Sequence, residues 1–152
     1  MLRFRLGSIS VVVHPVHFLF ALVLGTYWIR NSPEVPQVVA LAIWVVIVFV
    51  SVLFHELGHA LAFRAFGYAS TVQLVALGGM TTPATDRPLT WGKVVVSTLA
   101  GPFFGASLGL LCGVLARAAT PGSIEEYALR TAAGTNMVWA IFNLLPIVPL
   151  DG

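Results

Sequence analysis

The hydrophobic positions of this chain follow two kinds of pattern. Residues 2–13 alternate, with Leu2, Phe4 and Leu6 on one side and Arg3 and Arg5 on the other. A period of two predicts an amphipathic strand. Residues 71–77 alternate again, with Val72, Leu74 and Ala76 on one face, and predict a second short strand ended by Gly78-Gly79. Elsewhere the apolar residues run on without alternation. Val16 to Ile29 is apolar, and counting back to Val11 gives 19 residues. At about 1.5 Å per residue that crosses roughly 28 Å. Val35 to Phe54 is 20 residues without a formal charge, and Val94 to Ala116 is 23. The first of these should run on as one helix to about Phe66, with Gly67 as its stop. Thr131 to Leu150 is a fourth uncharged stretch, broken at its far end by Pro146 and Pro149. Residues 80–92 and 117–130 read as loops.

Within the third helix, Pro102 removes a backbone donor and predicts a kink. Ser97, Gly101, Gly105, Gly109 and Gly113 recur every four residues. They form a smooth stripe against which another helix can pack closely.

Composition fits these spans. The chain has 152 residues, enough for one domain, and is 58% hydrophobic and 9% charged. A soluble domain carries roughly 25% charged residues. The reading is an all-α polytopic membrane protein with about four transmembrane helices and a small hairpin-like sheet. The lipid bilayer is its surroundings. Basic residues are scattered beside apolar segments, so no nucleic-acid surface is proposed. Cys112 stands alone, which excludes a disulfide framework. The apolar run after Pro15 is no convincing signal peptide, since a strand precedes it and no A-x-A site follows.

Charge sets an expected orientation. The N-terminus and the 64–93 connection hold Arg3, Arg5, Arg64, Arg87 and Lys93 against Asp86, a balance of +4. The opposite connections hold Arg30, Arg117 and Arg130 against Glu34, Glu125 and Glu126, a balance of zero. The positive-inside rule places the first group, and both strands, on the cytoplasmic side of a cell membrane. There the strands could pair.

His55-Glu56-Leu57-Gly58-His59 carries the chemistry. Histidines four apart leave the same face of a helix, a spacing that suits two imidazoles on one tetrahedral zinc. Glu56 is turned from the ligands, yet near enough to take a proton from a water at the metal and pass it to a leaving amine. Even one uncompensated charge at membrane depth costs about 3 kcal/mol on insertion scales, so three ionisable groups kept together need a reason.

A catalytic zinc usually has three protein ligands and an open position. The candidate acids are Glu34, Asp86, Glu125, Glu126 and Asp151. The second and fourth spans both run inward, so Asp151 comes to a depth similar to that of His55 and His59. Glu34, Glu125 and Glu126 fall on the opposite side, and Asp86, on the correct side but in a loop, ranks second. Two prolines near Asp151 prevent a regular helix, and irregular backbone at membrane depth lines a wet cavity or is buried in protein. Asn143 could bond a freed backbone group or a substrate backbone.

His55-Glu56-x-x-His59 on one membrane helix, with Asn143-x-x-Pro146-x-x-Pro149-Leu150-Asp151-Gly152 on a later one, resembles the site-2 protease family. Gly78-Gly79 and Ala100-Gly101-Pro102 are similar too. The resemblance covers nearly the whole chain. It implies one zinc per chain held by His55, His59 and Asp151, with Glu56 as the catalytic base. It also implies cleavage of transmembrane segments of membrane-bound protein substrates, often regulators of transcription. Family members continue past the Asp-Gly, so residues 1–152 read as a single membrane-embedded core truncated at its C-terminus.

Two further features are weaker. His14 and His17 read as interfacial residues rather than a second metal site. The strands could offer an edge to an unwound substrate, which predicts sensitivity to proline within residues 71–77. The competing functions are a protein that only binds or moves metal and an inactive truncated homologue. Substrate identity and oligomeric state are not legible.

Overall fold

A computed structural model describes residues 1–28, 35–76, 78–86 and 88–145, with Trp28 described by its backbone alone. The first 13 residues form two strands, β1 (Leu2–Leu6) and β2 (Ile9–Val13), rather than the one expected. They pair antiparallel across a turn in which Gly7 takes φ +60°, a conformation that costs glycine little. Ile9, Val11 and Val13 of β2 are buried, whereas β1 is largely exposed.

Helix α1 (Pro15–Trp28) follows, and Pro15 takes the first helical position, where its missing N–H costs nothing. Val11–Val13 therefore belong to the sheet, and α1 has 14 residues rather than 19. It is about 21 Å long against a hydrocarbon core of about 30 Å. Helix α2 (Gln37–Ala65) is the long apolar helix expected, stopped by Gly67 at φ +82°. Trp44 binds it to α1, donating its indole N–H to the Ala21 carbonyl at 3.0 Å.

Strand β3 (Ser70–Val75) pairs parallel with β2, placing Val11 beside Val72 and Val13 beside Leu74. A parallel pair needs a crossover, and α1 and α2 supply it. Strand β4 (Gly78–Pro83) occupies positions read as the start of a loop and pairs antiparallel with β3. The sheet order is β1-β2-β3-β4, so β3 is interior and β4 is an edge. An exposed edge at 71–77 is thus replaced by one at 78–83. Ile9, Val11, Val13, Val72 and Leu74 form one buried cluster with Val52 and Ala60 of α2. The sheet covers the C-terminal half of that helix.

Helix α3 (Trp91–Ala116) continues through Pro102. Its small-residue stripe meets α4 (Ile124–Asn143): Gly109 faces Met137, and Gly113 faces Ala133. Helix α4 begins seven residues before the expected Thr131. Ser123 caps it by accepting the Glu126 N–H at 3.1 Å, and the Glu126 carboxylate accepts the Gly122 N–H at 2.7 Å. This is a capping box, a signal present in Ser123-Ile-Glu-Glu126. It turns half of the supposed 117–130 loop into helix.

By length and composition, α2 and α3 are long and apolar enough to cross a membrane. Large apolar side chains stand exposed on every helix, among them Leu19, Val23, Val46, Phe103, Leu110, Val138 and Ile141.

Candidate metal centre

His55, Glu56 and His59 lie in the C-terminal half of α2, and all three are buried, at 4%, 4% and 7% exposure. Their ligand atoms fall within 4.8 Å of one another. The two Nε2 atoms are 3.1 Å apart, with the rings set edge to face. Two imidazole nitrogens on one tetrahedral zinc-sized ion stand roughly 3.3 Å apart, given bonds of about 2.05 Å. The histidine pair therefore fits such an ion without rearrangement.

Helix α3 sets the imidazole of His59. Its Nδ1 lies 2.6 Å from the carbonyl oxygen of Ser97. A carbonyl only accepts, so Nδ1 carries the proton and Nε2 presents its lone pair toward His55. A second hydrogen bond of this kind fixes ring and tautomer at metal-binding histidines. Gly101, one turn on, makes room: a Cβ there would overlap the His59 ring and come within 2.7 Å of His55 Nε2. Gly58 lets the helices meet, since its Cβ would stand 2.5 Å from the Ala100 carbonyl oxygen. The small-residue stripe thus seats the two imidazoles of α2 at Gly101 and receives α4 at Gly109 and Gly113.

Strand β4 sets Glu56. Thr81 donates its hydroxyl to Glu56 Oε2 at 2.6 Å and lies 3.2 Å from the Glu56 carbonyl oxygen. Gly79, on the same face of the strand, leaves the space that the carboxyl group fills, for a Cβ there would overlap it. A cavity of about 270 Å³ opens beside Glu56 and His59, walled by Phe63, Met80, Thr81, Leu89, Val94 and Ser97.

Helix α4 braces the other side. Asn136 is 2% exposed and donates to Ser51 Oγ, one turn before His55, and to the Ala132 carbonyl, both at 2.8 Å. Asn143 ends the same helix and donates to the Trp139 carbonyl at 2.9 Å. Asp151 lies outside the described residues. Asp86 is exposed and does not join the cluster among the described residues. His14 and His17 do not join one either. His17 is fully buried in the protein, with Nδ1 2.9 Å from the carbonyl of Ala76, a turn residue at φ +42°.

Thr81, Gly79, the Ser97 carbonyl and Asn136 escaped the sequence reading. A backbone carbonyl has no signature in sequence. Thr81 was hidden because its strand, Gly78-Gly-Met-Thr-Thr-Pro83, lacks apolar alternation. Asn136 alone was visible in principle, as a polar residue amid an uncharged stretch.

A helical core that closes on two facing imidazoles and a carboxylate defines a candidate metallohydrolase centre. No family model matches the chain. It is 29% identical over 97% of its length to a protein of Synechocystis sp. provisionally named a zinc metalloprotease, sll0528, covering 41% of that protein. It is 25% identical over 98% of its length to the zinc metalloprotease MJ0392 of Methanocaldococcus jannaschii, covering 42% of it. The chain thus spans about two fifths of these curated relatives. In fold it is similar to the solved site-2 protease from Methanocaldococcus jannaschii, with a TM-score of 0.73 and 26% identity, over 99% of this chain and 67% of that one. Sequence and fold together bear out the resemblance to the site-2 protease family.

Proposed function

We propose that this chain is the membrane-embedded core of a zinc metalloendopeptidase that hydrolyses peptide bonds in transmembrane segments of membrane-bound proteins. The observation that carries the reading is the buried His55–His59 pair, its Nε2 atoms 3.1 Å apart, with the Glu56 carboxylate beside it. The relatives' names and the solved fold support the same chemistry. The apolar outer surface of the four helices supports a bilayer setting with about four spans.

His55 and His59 would hold one zinc through Nε2, with Asp151 as the third ligand. Zinc, when bound, supplies a Lewis acid that acidifies water and polarises a carbonyl. Glu56 accepts the proton of the attacking water on its carboxylate and returns it to the nitrogen of the departing amine. The Ser97 carbonyl keeps the His59 ring from turning during these transfers. Asn143, at the end of α4, is a candidate contact to the substrate backbone. The balance of charge between the two sides of the chain favours a cytoplasmic side for Glu56.

The edge position of β4, next to the cavity, favours presentation of the unwound substrate as an added strand. Substrate peptides N-methylated at successive amides test this, and uniform cleavage across the series would sink it.

The catalytic assignment is tested by co-expressing the full-length protein with single-span membrane substrates. Wild type should cleave and Glu56→Ala should not. Equal cleavage by both would contradict the assignment. Zinc analysis of His55→Ala and Asp151→Ala tests the ligands, and stoichiometric zinc in either variant would remove that residue from the set.

A further inference from the structure

A general base must be held in place to take a proton. Thr81 of β4 brings a hydroxyl to the Glu56 carboxyl group. The Thr81 hydroxyl oxygen lies 2.6 Å from Glu56 Oε2 and 3.2 Å from the Glu56 backbone oxygen. A hydroxyl has one proton and two lone pairs. Toward the carboxylate it donates to Oε2, and 2.6 Å is the length expected for a bond from a hydroxyl to a charged oxygen.

The strand makes this possible. Gly79 and Thr81 are two apart on β4, so both face α2, and Met80 between them is exposed. Gly79 supplies space for the carboxyl group, and Thr81 supplies the bond. The β3–β4 pairing sets the height of both, with Leu74 opposite Gly79 and Val72 opposite Thr81, and Val72 and Leu74 fully buried. The sheet thus takes part in positioning Glu56.

We propose that Thr81 is a positioning residue for Glu56, its hydroxyl holding the carboxyl group against β4. The proposal deepens the protease reading and rests on it. The hydroxyl of Thr81 bonds Glu56 at its carboxyl group and at its backbone oxygen. Its loss should lower turnover, with little effect on substrate binding or on metal.

The test compares Thr81→Val, which keeps the shape and removes the hydroxyl, with Thr81→Ser, which keeps the hydroxyl. Both are made in the full-length, zinc-loaded protein. Thr81→Val should lower kcat by about 10- to 100-fold, the usual cost of losing a supporting partner. Its KM should stay within about threefold, and zinc should stay at the wild-type amount. Thr81→Ser should regain most of the loss. A second readout needs no activity. In metal-free protein carrying 13C-labelled glutamate carboxyls, the Glu56 carboxylate stretch is isolated by subtracting Glu56→Gln. It should shift in Thr81→Val and stay in Thr81→Ser. Wild-type kcat in Thr81→Val, or equal loss in Val and Ser variants, would overturn the role. An infrared shift alongside a wild type inert toward every membrane substrate would overturn the protease reading and, with it, the role in turnover.

Discussion

Gly101 of α3 lies against the imidazole of His59, so closely that its missing side chain is what lets the ring sit there. A methyl group at that position must push the ring off or part the two helices. Gly101→Ala should therefore lower zinc affinity at least 10-fold, the scale on which supporting residues act, and destabilise the fold by about 1–3 kcal/mol through overpacking. Isothermal titration with zinc and a thermal denaturation series measure the two effects. Unchanged affinity would mean that the histidines do not approach α3 in this way.

Gly79 is the counterpart for Glu56. Gly79→Ala places a methyl where the carboxyl group now lies, some distance from the histidine nitrogens. Zinc content should remain at the wild-type level while cleavage falls by 100-fold or more, in line with displacement of a general base. Equal loss of zinc and activity would show that Gly79 supports the whole centre rather than Glu56.

Asn136 joins α4 to α2 beside the site, through Ser51. Asn136→Ala removes that bond and leaves the Ser51 hydroxyl buried without it. Interhelical hydrogen bonds in membranes contribute about 0.6–2 kcal/mol. We expect a loss of about 1–2 kcal/mol in unfolding free energy, measured in mixed micelles, with zinc still bound. A neutral result would show that apolar packing of the small-residue stripe suffices to dock α4.

His17 serves the sheet rather than a metal. It is fully buried and reaches the Ala76 carbonyl at the turn between β3 and β4. His17→Ala should cost about 2 kcal/mol, from one hydrogen bond and a cavity, and leave zinc per chain unchanged. A drop in zinc would restore the second metal site that its position in the sequence had raised.

The legible and illegible parts of this molecule divide along physical lines. The long uncharged runs fixed α2 and α3, because a helix that buries one face in protein and turns the other to lipid has no need of polar positions. His55, Glu56 and His59 were legible because i, i+4 spacing on a helix is a local property. The alternation that began at Thr71 was read as a strand, which the structure places at Ser70–Val75 and pairs with Ile9–Val13. What failed depended on partners distant in sequence. β4 is an edge strand whose inner face meets a carboxyl group instead of a core, whereas the break at Gly7 was legible, because the apolar positions shift from Leu2, Phe4 and Leu6 to Ile9, Val11 and Val13 across Gly7-Ser8. The start of α4 was different, since the capping box at Ser123 was there to be read. The role of Asp151 stays an inference from its motif and its depth.

The central claim is that the buried His55–Glu56–His59 group hydrolyses peptide bonds with zinc. The most direct measurement uses purified full-length protein in proteoliposomes with a single-span substrate, stripped of metal and then resupplied with zinc, beside Glu56→Gln treated alike. The account predicts no cleavage without metal and cleavage within the transmembrane segment when zinc returns. It predicts full zinc binding without cleavage in Glu56→Gln. Cleavage by metal-free protein, or by Glu56→Gln at the wild-type rate, would contradict it.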